Sequence, residues 1–158
     1  MNNLTKTLLA GVALCALATV PAVAENAGPI HFSALHGGRV VNKTKMPNHG
    51  ATHITYTFGI YTEVPASTPL NTTVHLSEND LCGVQKIKFA PKKTHYAKIG
   101  LEVLSYSGCV QVVPTYTLIR KPSPGDTDEF EVSFISKFEQ DGTKYKETLN
   151  LDYNVDFE

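Results

Sequence analysis

Apolar residues fall at every second position through most of this chain, and the pattern is clearest at the C-terminal end. Phe130, Val132, Phe134 and Phe138 share even positions, separated by Glu131, Ser133 and Lys137. Tyr145, Leu149, Leu151, Tyr153, Val155 and Phe157 share odd positions. Between the two runs stands Asp141-Gly142, the dipeptide that a type I′ hairpin turn favours because both central residues need positive φ. A two-residue loop there sets Phe138 opposite Tyr145, Phe134 opposite Leu149, Val132 opposite Leu151 and Phe130 opposite Tyr153. The apolar faces of the two strands then coincide, and a slip of one residue would turn one face outward. The pattern predicts a long C-terminal hairpin.

The same period-2 alternation marks earlier strands. Ile54, Tyr56, Phe58 and Ile60 share one face of a strand over 52–62, with His53, Thr55 and Thr57 on the other. Ala97, Ile99, Leu101 and Val103 alternate with Lys98, Gly100 and Glu102. Ile87 and Phe89 alternate with Lys86 and Lys88, and shorter strands are expected over 30–35, 39–42 and 72–76. A strand over 110–120 contains Pro114, which has no amide donor and so predicts an edge, bulge or break. Ser77 and Asp80 have capping-box spacing and suggest one helical turn. Turns are expected over 45–50, 65–69 and 121–126, all rich in Pro, Gly, Asn or Ser. The expectation is an all-β, immunoglobulin-like two-sheet β-sandwich with a long C-terminal hairpin. The chain has no Trp, so the Cys–Trp–Cys hallmark of immunoglobulin domains is absent. A small up-and-down β-barrel is the alternative.

The N-terminus breaks the alternation. Lys6 precedes the apolar run Leu8 to Ala18, and Ala22-Val23-Ala24 ends it in the small-residue pattern that signal peptidase accepts. The run is too short to anchor in a bilayer, where a spanning helix takes about 20 apolar residues. Residues 1–24 therefore read as an export signal cleaved after Ala24, and 25–158 as one β-sandwich domain. Cys15 lies inside the signal and follows Leu14, where a lipidation site would want a small residue.

Removing Lys6 with the signal leaves 13 of the 14 basic side chains against 15 acidic ones, a balance of −2. Nucleic-acid binding needs a basic face and is not expected. No second apolar stretch is long enough to span a membrane, so the expected product is periplasmic or secreted. Cys82 and Cys109 are the two cysteines left, and in an oxidising compartment they read as a structural disulfide. Redox pairs are usually held two residues apart at a helix start, which these are not.

Histidine is the most suggestive residue type. His31, His36, His49 and His53 cluster early, with His75 and His95 beyond. His49 and His53, with His31 or His36, are candidate ligands for Zn²⁺ or Cu²⁺, because imidazole suits both ions. No other cofactor is implied. No G-x-S-x-G elbow is present, both mature cysteines are committed, and the acidic residues read as outward or turn positions. Catalysis is not expected. Tyr61, Tyr96, Tyr106 and Tyr116 are candidate exposed aromatics, a residue type favoured in recognition patches. Asn42-Lys43-Thr44 and Asn71-Thr72-Thr73 fit the N-glycosylation pattern, which matters only in a eukaryotic secretory route.

The segment Gly28-Pro29-Ile30-His31-Phe32 followed by Gly38-Arg39-Val40-Val41-Asn42 resembles the opening strands of chaperone–usher pilins. Pilins carry a cysteine in that region, whereas the first mature cysteine here is Cys82. The expected function is a non-catalytic exported protein that binds another envelope or extracellular protein, with strand edges as the contact sites. A metal-binding protein and a self-assembling, pilus-like surface subunit are the alternatives.

Overall fold

The computed structural model describes residues 7–11, 28–35, 38–48, 51–90 and 94–158. Strands follow one another as β1 (Thr7–Gly11), β2 (His31–Leu35), β3 (Gly38–Asn48), β4 (Ala51–Val64), β5 (Thr73–His75) and β6 (Asn79–Cys82). The remainder are β7 (Lys86–Ala90), β8 (Ala97–Tyr106), β9 (Cys109–Leu118), β10 (Thr127–Gln140) and β11 (Thr143–Phe157). The described residues contain no helix.

These strands form two open sheets. The first runs β1-β8-β9-β6-β2, with β5 also paired to β9; the second runs β3-β4-β11-β10-β7. Neither closes into a barrel, so the barrel alternative falls. The inward residues of both sheets, among them Leu101 and Val112 of the first and Phe134 and Leu151 of the second, form one buried cluster. Burying these side chains against each other is the main term holding the layers together.

The hairpin has the register that the alternation predicts. Phe138 lies opposite Tyr145, Phe134 opposite Leu149 and Phe130 opposite Tyr153. Asp141 and Gly142 have φ values of 50° and 75°, as a type I′ turn requires. The apolar face of β4 then extends this sheet, with Tyr56 level with Leu149, Phe58 with Leu151 and Ile60 with Tyr153. That β4–β11 pairing is parallel, whereas the other pairings are antiparallel.

Two expected breaks are accommodated inside strands. Pro114 sits mid-strand in β9, opposite Leu101 of β8. On its other side the neighbour of β9 changes from β6, which ends its pairing at Val112, to β5, which begins at Thr115. The Pro114 carbonyl accepts from Leu76 N on that side, at 2.9 Å. A strand residue directs its N–H and C=O to the same neighbour, so the missing donor falls in the gap between β6 and β5. Pro47 belongs to β3 and not to a turn; among the described residues β3 is an edge strand paired with β4 alone, so one of its sides needs no donors. The helical turn suggested at Ser77–Asp80 does not form. Asn79 and Asp80 instead open β6 and pair with Val112 and Gln111.

Candidate functional site

Two surfaces and two buried carboxylates stand out. The first surface is the outer edge of β8. Its inward residues Ala97, Ile99, Leu101 and Val103 are buried, which fixes the strand in the core and presents its far side as a straight ladder. That side receives β1 in antiparallel register, from Thr7 opposite Ser105 to Gly11 opposite Leu101. The added strand comes from within the predicted export signal. Ala97 to Gly100 have no strand partner on that side among the described residues. Near the edge, half-buried Glu102 lies 3.6 Å from His75 Nε2, a surface pair that contributes little stability.

The second surface is a groove of about 520 Å³ at the tip of the C-terminal hairpin. His53, Lys137, Glu139, Lys144 and Lys146 line it, together with Phe138 and Tyr145. Strand parity explains the mixture. Lys137 is opposite Lys146, and Lys146 is level with His53, so these three share the outward face of the sheet. Phe138 and Tyr145 take the opposite parity and stack on each other, with ring centroids 5.0 Å apart and planes at 11°. A smaller cavity of about 230 Å³ lies further along the sheet and is lined by Glu129, Phe130, Glu131 and Asp152.

Asp128, on β10, is buried between the sheets. It accepts hydrogen bonds from His95 N at 3.0 Å, Tyr96 N at 3.2 Å and the Tyr116 hydroxyl at 2.6 Å. His95 Nδ1 lies 3.5 Å from the same carboxylate. Burial first, then the hydrogen bond and charge of Asp128, push the Tyr116 phenol well above its ordinary value of 10. Glu147 is buried on the inward face of β11, with its Oε2 accepting from Ile30 N at 3.1 Å. Burial raises its carboxyl above the ordinary 4.5, against the opposing pull of the Ile30 amide and His31. Beside it, the Ser136 hydroxyl donates to Gly28 O at 3.0 Å. These contacts seat the segment 28–30 over the polar end of the core.

The candidate residues divide as follows. Cys82 and Cys109 form a disulfide across directly opposed positions of β6 and β9, with Cα atoms 4.0 Å apart. A disulfide fits an oxidising destination. His53 lies in the hairpin groove among three lysines, a poor setting for a divalent cation. His49 and His36 lie outside the described residues. His31 is exposed at the start of β2, and His75 and His95 face carboxylates elsewhere. Among the described residues no three His, Cys, Asp or Glu side chains are placed to hold a metal ion. Of the tyrosines expected at the surface, Tyr61 is exposed, whereas Tyr116 is wholly buried.

Two groups escaped the sequence reading although parity carried the signal. Asp128 and Glu147 read as outward acids by residue type, yet they continue the inward positions of Phe130 and Leu149. The lysine row was also implicit, because the hairpin register that pairs Phe138 with Tyr145 pairs Lys137 with Lys146. Comparison with known protein families, characterised proteins and solved structures finds no match to this chain.

Proposed function

We propose that the protein is exported, loses residues 1–24, and acts without catalysis as an immunoglobulin-like β-sandwich that binds another envelope or extracellular protein by strand addition at β8. The observation that carries this reading is the pairing of β1 with the β8 edge. Five consecutive residues of extended chain add there in register, and the donor segment is the one that signal cleavage removes. Processing then leaves an edge of unpaired N–H and C=O groups beside a buried apolar face. An extended segment of a partner restores those hydrogen bonds, with affinity from the main chain and specificity from alternate side chains. A monomeric protein normally blunts such an edge.

The experiment uses the processed protein purified from the periplasm and a cell-envelope extract, with and without EDTA. Pro is placed singly at Val103 and at Leu104. Adjacent strand residues send their N–H groups to opposite neighbours, so one of the two variants blocks the outer edge and spares the β8–β9 ladder. Loss of capture in a variant that stays folded supports strand addition, and recovery of the protein itself assigns a second copy as the donor. Capture that survives in both variants overturns the edge reading, and capture lost only in EDTA moves the function to a metal.

A further inference from the structure

The hairpin groove concentrates positive charge in a way the fold does not require. Lys137, Lys146 and His53 occupy one outward row across three neighbouring strands, β10, β11 and β4. Neighbouring strands lie about 4.8 Å apart, so the row brings its side chains within reach of a single small ligand. Lys144 stands two residues before Lys146 and faces the same way. Like charges directly opposite on a sheet repel and destabilise it. The local compensation would be a carboxylate, but among the described residues no ion pair involves Lys137, Lys144 or Lys146. Glu139 lies opposite Lys144 and lines the groove without closing a salt bridge.

The tip is also held in shape. The Phe138–Tyr145 stack, which also lines the groove, ties the two strands together across the hairpin, and the Gln85 side chain clamps Lys137 by donating to its carbonyl at 2.9 Å and accepting from its amide at 3.0 Å. The backbone that carries the lysines is therefore ordered before any ligand arrives, which lowers the entropy cost of binding.

We propose that this groove binds an oxyanion-bearing ligand, a phosphate or a phosphate ester, with Lys137 and Lys146 as the principal contacts and Lys144 and His53 flanking them. An ammonium is a compact point charge with three donors, well suited to tetrahedral oxyanions. A phosphate seated between Lys137 and Lys146 replaces their mutual repulsion with two charge-assisted hydrogen bonds. The site is separate from the β8 edge, which lies on the other sheet. The phosphate can belong to a free small molecule or to a lipid headgroup, and the test distinguishes these sources.

The experiment is an NMR titration of the protein with inorganic phosphate, with chloride at matched ionic strength as control, and a sedimentation assay with vesicles of phosphatidylglycerol or of phosphatidylcholine. Phosphate should shift the amides of 52–54 and 137–146 saturably, and chloride should not. Lys137→Gln with Lys146→Gln should weaken binding at least about tenfold. Lys137→Gln alone, at an exposed position, should weaken it less and leave the fold intact. Binding to phosphatidylglycerol vesicles that the double variant loses, without a response to free phosphate, assigns a lipid headgroup. The proposal is overturned if neither probe binds saturably, if chloride acts as phosphate does, or if the double variant binds as well as the parent.

Discussion

The Tyr116 hydroxyl donates to Asp128 Oδ2 at 2.6 Å, a bond from the first sheet to the second through the buried interior. Asp128 also holds the Tyr96 and His95 amides, so one carboxylate organises both sheets and the chain that crosses between them. Hydrogen bonds to a charged group contribute about 1.5–3 kcal/mol, and leaving a buried partner unsatisfied costs as much again. Tyr116→Phe should therefore lower unfolding free energy by about 2 kcal/mol. Asp128→Ala, which orphans the hydroxyl and the amides together, should cost about 4 kcal/mol. Urea denaturation followed by circular dichroism gives both values; equal, small losses would show that the carboxylate is not the organising group. The raised phenol pKa adds a sign at high pH. Tyr116 keeps its proton in the fold where an unfolded tyrosine loses it, so its stabilising contribution holds below pH 10 and declines as pH rises above it.

Glu147 acts in the opposite part of the pH scale. Its carboxyl is buried and its pKa lies above the ordinary 4.5, so the folded chain binds this proton more tightly than the unfolded chain does. Stability from Glu147 is then greatest below pH 4.5 and falls as the pH rises from there to the raised value. Glu147→Gln keeps an oxygen to accept from Ile30 N and removes the titration. The variant should match the parent in acid and exceed it at neutral pH. Chemical denaturation at a series of pH values tests this, and parallel curves for the two proteins would exclude Glu147 as the titrating group.

Local pattern explains why some of this architecture was legible and some was not. The hairpin announces itself because register, turn chemistry and alternation all lie within the segment 130–157. The β8 and β4 strands are equally plain from their alternation. Which strands become neighbours is a different matter. The parallel β4–β11 pairing joins residues about ninety positions apart, and no property of either strand alone selects the other. The far end of β3 is hidden from the sequence because Pro47 reads as a turn residue until its edge position is known. Residue type points Asp128 and Glu147 outward, since acids are usually outward on strands. Their parity pointed inward. What reverses the usual rule is a set of donors from distant chain, His95, Tyr96 and Tyr116 for one and Ile30 for the other.

The Cys82–Cys109 bridge joins two strands already paired in register, so its removal should not redirect the fold. It closes a loop with a sequence separation of 27 residues. Loop-closure entropy for that length gives about 3–4 kcal/mol, on the view that the cross-link mainly restrains the unfolded chain. Cys82→Ser with Cys109→Ser should lower unfolding free energy by about that amount and keep the native circular dichroism spectrum. A spectrum that changes shape would mean that the bridge specifies the β6–β9 pairing and does not merely stabilise it.

Two glycines at positive φ separate conformational cost from steric cost. Gly142 has φ of +75° at the hairpin turn, and a Cβ there would meet nothing within 4 Å. Gly83 has a similar φ of +79°, but a Cβ would stand 2.9 Å from Pro29 O and 3.1 Å from Gly28 O. Both contacts are backbone, in the segment that Glu147 and Ser136 hold down, so neither can swing aside as a side chain would. Gly142→Ala should cost only the left-handed conformation, about 1 kcal/mol. Gly83→Ala should cost that and more, because residues 28–30 must shift and loosen their hydrogen bonds to β10 and β11. The excess should vanish when Glu147→Ala and Ser136→Ala have already released the segment, a coupling that a double-mutant cycle measures directly. An excess that persists in the released background would place the clash elsewhere than at the Gly28–Ile30 strap.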